Sequence, residues 1–431
     1  MSIAGDPTSR SPRRPGRRRA RRDPGPTWHH RRVRLPRGLT GVLAVLMTAG
    51  WAANLFASVI PVLAEQEGFS TALLDAAFGA YAVALLPGLF GGGALSDRVG
   101  RAGVVLPGAV LVVAGTLVLM AFHDPAGLVL GRLVVGLGAG LTFGAGTAWA
   151  GDLAGTTGTV LAGVFLTAGF AVGPLVSGAL AQLAPAPLVT PFVLSVALSL
   201  GAIGWAAATS APASRRLRDA GGGPVPTLAH HDARAALAWS LPVGVLVFGS
   251  VALSIVTLPT RLPPGVDGPL LVGVAAALAL GSGIAVQTLA RVRSWGPGAG
   301  VAGALAAALG FVLVAVAGDR VGLPLFALSC VVLGTAYGLC LREGLLDVET
   351  LAPPARRGTL TGTFYVATYV GFGLPLLLTS LQPVAGTRPP VLVLAVLALA
   401  VALVRRAQLR TGHPGRTGRT TPAPGAPRVT P

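Results

Sequence analysis

Apolar residues run along this chain in stretches of roughly twenty or more, broken by short polar or basic segments. A bilayer core takes about 20 mostly apolar residues per helix, so each stretch reads as a spanning helix. The pattern predicts helices at 41–63, 72–95, 103–122, 126–150, 158–181 and 188–209, then at 237–259, 269–290, 298–317, 322–345, 358–381 and 390–408. Segment 210–236 is the longest polar interruption. It carries Arg215, Arg216, Arg218 and the run Gly221-Gly222-Gly223-Pro224, and reads as a linker. The domain reading is therefore a disordered Arg-rich tail at 1–39, a six-helix half at 40–209, the linker at 210–236, a second half at 237–408 and a disordered tail at 409–431. The fold class is all-α integral membrane, with twelve transmembrane helices in two pseudo-symmetric six-helix bundles.

Composition sharpens this. The chain is 52% hydrophobic and 11% charged, with a mean hydropathy of +0.71. A soluble protein carries roughly a quarter charged residues. This chain cannot cover a water-facing surface, so much of it must face lipid. The net charge of +18 raises the question of nucleic acid, but residues 1–39 alone hold twelve Arg against Asp6 and Asp23. A basic segment beside a first spanning helix attracts anionic lipid, and nucleic acid is the weaker reading. With the N-terminus inside, the cytoplasmic loops collect Arg98, Arg101, Arg215, Arg216, Arg218, Arg234, Arg291, Arg293, Arg356 and Arg357. The outer loops hold Arg261, Arg320 and Arg388, beside acids including Glu65, Glu67 and Asp124. This positive-inside asymmetry places both termini in the cytoplasm and makes the helix number even. Every basic residue is Arg, and Ala, Gly and Pro abound. That bias suggests a GC-rich bacterial genome, hence a bacterial inner membrane. Stretch 41–63 is long enough to span, with no small-residue cleavage pattern after it, and reads as a retained helix.

The chain lacks the usual marks of catalysis. Cys330 and Cys340 lie about 15 Å apart along one helix, too far for a disulfide. His29, His30, His123, His230, His231 and His413 all fall in expected tails or loops, so no metal cluster is visible. No paired catalytic acids stand within the helices, which argues against an enzyme. Without Lys there is no Walker-type phosphate loop, and ATP is not expected to drive the chain. No cofactor is expected, and a proton gradient is the expected energy source.

An internal repeat is visible. Gly158-Thr159-Val160-Leu161-Ala162-Gly163-Val164-Phe165 resembles Gly358-Thr359-Leu360-Thr361-Gly362-Thr363-Phe364-Tyr365, and the same offset maps Gly173 onto Gly373. Helix five thereby matches helix eleven. Two six-helix halves suit a transporter whose substrate site lies between them near the midplane.

The sharpest local signal is Gly93-Ala94-Leu95-Ser96-Asp97-Arg98-Val99-Gly100-Arg101, between helices two and three. Two Arg suit a short cytoplasmic turn, and Gly100 allows the reversal. Asp97 is explained by an ion pair with Arg98 or Arg101, or by a partner helix N-terminus near Gly358. These residues resemble the loop signature G-x-L-[S/A]-D-R-x-G-R-[R/K] of the major facilitator superfamily, with Ala102 departing at the last position. The resemblance covers about 41–408. It implies alternating access, with this loop as a latch between the halves and its acid engaging helix eleven.

Helix four contains Gly131-Arg132-Leu133-Val134-Val135-Gly136-Leu137-Gly138. An Arg about 9 Å inside a span needs a partner or a wet cavity, unless it snorkels to the surface. The superfamily carries R-x-x-x-G-x-G here, associated with proton coupling in some exporters. Helix five contains Gly169, Gly173, Pro174, Ser177 and Gly178. Small residues four apart let helices approach closely, and Pro174 favours a kink. This is similar to the antiporter branch's G-x-x-x-G-P-x-x-G-G, with Ser177 in place of one Gly, and implies export by exchange.

In the superfamily helices one, four, seven and ten line the cavity. The candidates are then Trp51, Asn54, Thr142, Phe143, Ser250, Ser254 and Tyr337, with Tyr365 and Tyr369 on one face of helix eleven. Plain helix packing is the alternative for each. An apolar cavity with few polar anchors suits small amphipathic or drug-like substrates. Helix one has no acid before Glu65, so coupling falls to Asp75, Asp152, Glu343 or Asp347, of which Glu343 and Asp347 stand beside Arg342. The expected function is proton-linked efflux by a monomer. The alternatives are uptake or facilitated diffusion of a metabolite, and a membrane sensor or scaffold that transports nothing.

Overall fold

The computed structural model describes residues 37–210, 232–266, 268–353 and 356–413. The expected N-terminal tail up to residue 36, most of the linker with Arg215, Arg216 and Arg218, and the chain beyond 413 lie outside the described residues. Among the described residues, twelve helices are long and apolar enough to cross a bilayer. They are α1 (Gly38–Gln66), α2 (Thr71–Val99), α3 (Ala102–Ala121), α4 (Pro125–Gly155), α5 (Thr157–Leu183), α6 (Thr190–Thr209), α7 (Ala233–Arg261), α8 (Pro269–Val292), α9 (Ala299–Ala317), α10 (Leu323–Leu351), α11 (Thr359–Ala385) and α12 (Arg388–Thr411). With an even number of crossings, the start of α1 and the end of α12 share one side of the bundle, here termed the terminal side.

Local chemistry sets several of the ends. Ser70 caps α2 by accepting from the Leu73 amide, and Asp124 caps α4 by accepting from Ala126 and Gly127, with Pro125 in the first turn. Asp232 does the same for α7 through the Arg234 amide. Between α4 and α5 the helix breaks at Ala154 and Gly155, where Gly155 takes φ 58°. Most ends lie within about five residues of the sequence reading, and two of the differences have a cause that the structure shows. The α10 helix runs on to Leu351 instead of stopping at 345, because Glu343 and Asp347 are buried and paired. The α12 helix runs to Thr411 and His413 is buried, so ordered chain extends past 409.

The two halves repeat one packing scheme. In the first, α4 packs on α2 and α3, and α6 on α1 and α3. In the second, α10 packs on α8 and α9, and α12 on α9 and α7. The repeat partners α5 and α11 hold equivalent places: α5 joins α1 to α8, and α11 joins α7 to α2. Large apolar side chains such as Leu392, Val393, Val396, Leu397 and Leu403 of α12 point outward, where lipid replaces a packed neighbour.

Glycine places these contacts. A Cβ on Gly169 would stand 2.0 Å from the Met47 carbonyl oxygen of α1, and one on Gly173 2.7 Å from the Trp51 Cα. Between the halves, a Cβ on Gly178 would meet the Pro269 carbonyl oxygen at 2.2 Å, and one on Gly273 the Pro174 carbonyl oxygen at 2.5 Å. Backbone cannot yield as a flexible side chain can. Gly178→Ala is therefore expected to wedge α5 from α8 at a cost of about 1–3 kcal/mol. If that cost falls on the turning of the halves, transport should fall about fivefold or more, since about 1.4 kcal/mol makes a tenfold change. Substrate flux at matched expression checks this. Unchanged flux would mean that the seam is open during turnover.

Two helices are irregular within their spans. A π-helical turn occupies Leu253–Thr257 of α7. A 3-10 turn occupies Val370–Gly373 of α11, followed by Pro375, which lacks an amide hydrogen. Both lie beside the same small volume between the halves.

Candidate functional site

At mid-length the halves meet through aromatic rings. Phe78 of α2 stacks on Phe372 of α11 with centroids 5.1 Å apart and an interplanar angle of 19°. Tyr81 lies 5.9 Å from Phe372. Phe248 of α7 joins the layer at 4.6 Å from Tyr369, 5.0 Å from Phe372 and 5.9 Å from Tyr337. Tyr365 extends it at 6.4 Å from Tyr369. All four tyrosines of the chain, Tyr81, Tyr337, Tyr365 and Tyr369, belong to this layer. The residual space among the rings, bordered also by Asn54 and Phe170, is about 10 Å³, so the layer is closed.

Toward the side opposite the termini the space between the halves widens. One cavity of about 790 Å³ is lined by both halves, including Ile60, Glu65, Gln182, Ile255, Thr260 and Pro269. A second, of about 310 Å³ and richer in polar side chains, shares Thr71 and Thr260 with it and adds Arg261, Asp319 and Gln382. Beside the second cavity, the Thr379 hydroxyl of α11 donates to the buried Asp75 carboxylate of α2 at 2.6 Å. That bond ties one half to the other. Arg261 is spent partly on the Val314 and Gly318 carbonyls, each at 3.1 Å.

Arg132 is fully buried and does not snorkel. Its guanidinium donates to the carbonyls of Ala53 at 2.8 Å, Phe78 at 3.2 Å and Ala77 at 3.3 Å. Its Cζ lies 4.6 Å from the Tyr81 ring centroid and 4.9 Å from that of Phe56. The charge expected to need an acid or water is caged by backbone dipoles and π faces of α1 and α2. The glycines after it serve contact: a Cβ on Gly136 would stand 2.2 Å from the Tyr81 carbonyl oxygen, and one on Gly138 2.6 Å from that of Gly108.

On the terminal side, Gly100 takes φ 91° and turns the chain from α2 into α3. Arg101 binds Asp97 at 2.7 Å, Asp152 at the end of α4 at 2.9 Å, and the Ser96 hydroxyl at 2.6 Å. Partial burial lowers the Arg101 pKa, but the hydrogen bond and charge of Asp152, with Asp97 behind them, outweigh it and the net shift is upward. The contribution is thus complete below the ordinary arginine value and is lost only as pH rises past the raised one. Arg98 is exposed, and Gly93 accepts from Ser96 through its carbonyl.

A sequence model described as Major Facilitator Superfamily matches residues 42–376. The chain belongs to that superfamily. Multidrug resistance protein MdtL of Klebsiella pneumoniae (strain 342) is 33% identical over 81 residues, which is 19% of this chain and 21% of that relative. The match therefore spans about a fifth of the relative's length. Among solved structures, a POT family transporter in complex with 5-aminolevulinic acid aligns with a TM-score of 0.68 and 15% identity, covering 87% of this chain and 96% of that one. The peptide transporter POT in complex with sulfate aligns at 0.70 and 16%, covering 87% and 95%. These likenesses are of fold. This superfamily member is a multi-pass membrane protein and a transporter, not an enzyme.

The superfamily loop is present apart from Ala102 at its last position, but its acid does not do what the resemblance implied. Asp97 is 67% exposed and pairs with Arg101, and among the described residues it has no partner on α11. Arg101, one helical turn away, holds two acids of the first half instead. Deeper in the bundle, α2 and α11 meet through apolar contact, with the Phe90 ring over Gly362. The helix-ten acids also part company. Glu343 pairs with Arg342, whereas buried Asp347 pairs with Arg405 of α12 and with His413 Nε2 at 3.0 Å. Arg405 also donates to the Trp239 carbonyl at 2.7 Å, and His413 packs on the Trp239 ring at 4.5 Å. His413 is thus part of a buried cluster and not a solvated tail residue.

Of the expected cavity residues, the structure brings Asn54, Tyr337, Tyr365 and Tyr369 to the central layer, with Phe143 behind it against Phe170 at 5.6 Å. Trp51 instead donates its indole N–H to Ser177 of α5 at 3.0 Å. Thr142 is buried and bonds back to the Gly138 carbonyl. Ser250 and Ser254 bond back to Leu246 and Ser250 inside the second half. A hydroxyl in a spanning helix satisfies itself this way when no water is at hand. Phe78, Tyr81, Phe248 and Phe372 were missed. For Tyr81 the available signal was that the chain has four tyrosines and all of them fall within apolar stretches; the three phenylalanines carry no such mark.

Proposed function

We propose that this transporter exports small amphipathic molecules across a bacterial inner membrane by alternating access, in exchange for protons. The observation that carries this is the layered space between the halves: a cavity of about 790 Å³ on one side, closed at mid-length by rings from both. A substrate can pass only if the halves part at that layer and close elsewhere. The partial match to a multidrug resistance protein supports export of drug-like compounds. The Arg asymmetry supports a cytoplasmic terminal side, with the larger cavity then facing outward. The protein works as a monomer, its Arg-rich N-terminal segment meeting anionic lipid, with no cofactor beyond the gradient. Glu343 and Asp347 remain coupling candidates, and Asp75 joins them as the acid whose hydrogen bond crosses between the halves. Arg132 would act on coupling only through the position of α1 and α2.

A second reading, facilitated uptake of a metabolite, is favoured by the lack of any acid in α1 before Glu65. Purified protein in proteoliposomes, given a compound panel with and without an imposed pH gradient, decides between them. Export predicts accumulation that rises with the gradient and collapses with an ionophore. Flux indifferent to the gradient would favour facilitation, and absence of flux for every compound would favour a sensor.

A further inference from the structure

We propose that the closed aromatic layer is a binding site for planar, uncharged aromatic molecules that carry a hydrogen-bonding edge, and that the Tyr81 hydroxyl reads that edge. This rests on the reading above, in which substrate passes between the halves. The Tyr81 side chain is 1% exposed and borders the residual cavity, yet among the described residues its hydroxyl has no hydrogen-bond partner. A buried hydroxyl left unpaired is unfavourable, so a ligand that pairs it gains what the empty site lacks. The geometry around it selects flat molecules. Phe78 stacks on Phe372 nearly in parallel, and Phe248, Tyr369 and Phe372 form a continuous group. When the halves part, Phe78 and Tyr81 leave with one half and the other three with the second. Each ring face then lacks its partner, and a planar aromatic molecule replaces the lost stack.

Charge selects against cations. Among the described residues, no Asp or Glu borders the residual cavity. Asp75, one turn from Phe78, holds its carboxylate on Thr379. The Arg132 guanidinium lies 4.6 Å from the Tyr81 ring centroid and 5.8 Å from that of Phe78, so these rings already serve one cation. A second positive charge beside them meets repulsion in a low-dielectric site.

Three tricyclic probes of one shape test this: anthraquinone, with carbonyl edges; anthracene, without them; and N-methylacridinium, with a fixed positive charge. Each competes against radiolabelled anthraquinone on purified protein in a scintillation proximity assay. Anthraquinone is expected to bind at least about tenfold more tightly than N-methylacridinium. Tyr81→Phe, which keeps the ring, is expected to weaken anthraquinone about tenfold and anthracene less than about twofold, with an unchanged unfolding temperature. Equal or tighter binding of N-methylacridinium overturns the proposal. So does a Tyr81→Phe variant that weakens both neutral probes alike. If the proteoliposomes export other compounds and none of the three probes binds, this inference falls and the export reading stands. If the probes bind as expected and no compound is transported, the export reading falls and the site stands.

Discussion

An Arg132→Lys variant is expected to lose on the order of 3–5 kcal/mol of stability, more than Arg132→Met loses. The conservative exchange is the harsher one because of what holds the guanidinium. It reaches three carbonyls on two helices and sits over the rings of Phe56 and Tyr81. An ammonium has neither the fork nor the plane, so it keeps the buried charge and loses most of what satisfies it. Methionine gives up the hydrogen bonds but removes the charge as well. Thermal unfolding read by a thiol-reactive dye checks the order, since Cys330 and Cys340 are both free and buried and label only when the fold opens. A lysine variant as stable as the parent would show that water, and not backbone, satisfies the charge.

The second large effect belongs to Asp347 and Arg405. Arg405→Leu or Asp347→Leu alone is expected to cost about 3–5 kcal/mol, and the double variant to recover most of it. Arg405→Leu takes the guanidinium from Asp347, which keeps His413, and Asp347→Leu leaves Arg405 on the Trp239 carbonyl without its carboxylate, whereas the double change leaves an apolar contact. A double-mutant cycle on the unfolding free energy measures the coupling. Additive losses would show that the two charges are solvated independently. A role of Asp347 in proton movement would appear elsewhere, as an Asp347→Asn variant that stays folded while its flux no longer follows the pH gradient.

The fold was largely legible because it is written in a property that the membrane enforces: length of apolar run. The α2 and α3 helices differ from their expected bounds by a few residues, and only at their ends. The end of α10 was misjudged because Glu343 and Asp347 look solvated in a sequence, and only tertiary contact shows them paired within the bundle. The site was half legible. Tyr369 and Asn54 could be chosen by helix and position, but Thr142, Ser250 and Ser254 could not be rejected, since a hydroxyl turned back on its own helix looks the same in sequence as one facing a cavity. Partners far apart in the chain, such as Asp75 with Thr379 and Arg132 with Ala53, leave no local trace.

The seam between α5 and α8 has a mechanical consequence. At Gly178 and Gly273 backbone faces backbone, with no side chain to change rotamer when one half turns against the other. Such a pivot adds little friction. The resistance to turning then resides in the ring layer, where Phe78 must leave Phe372. A molecule that takes over those ring contacts lowers the barrier to the turn, and in that sense the cargo catalyses its own passage.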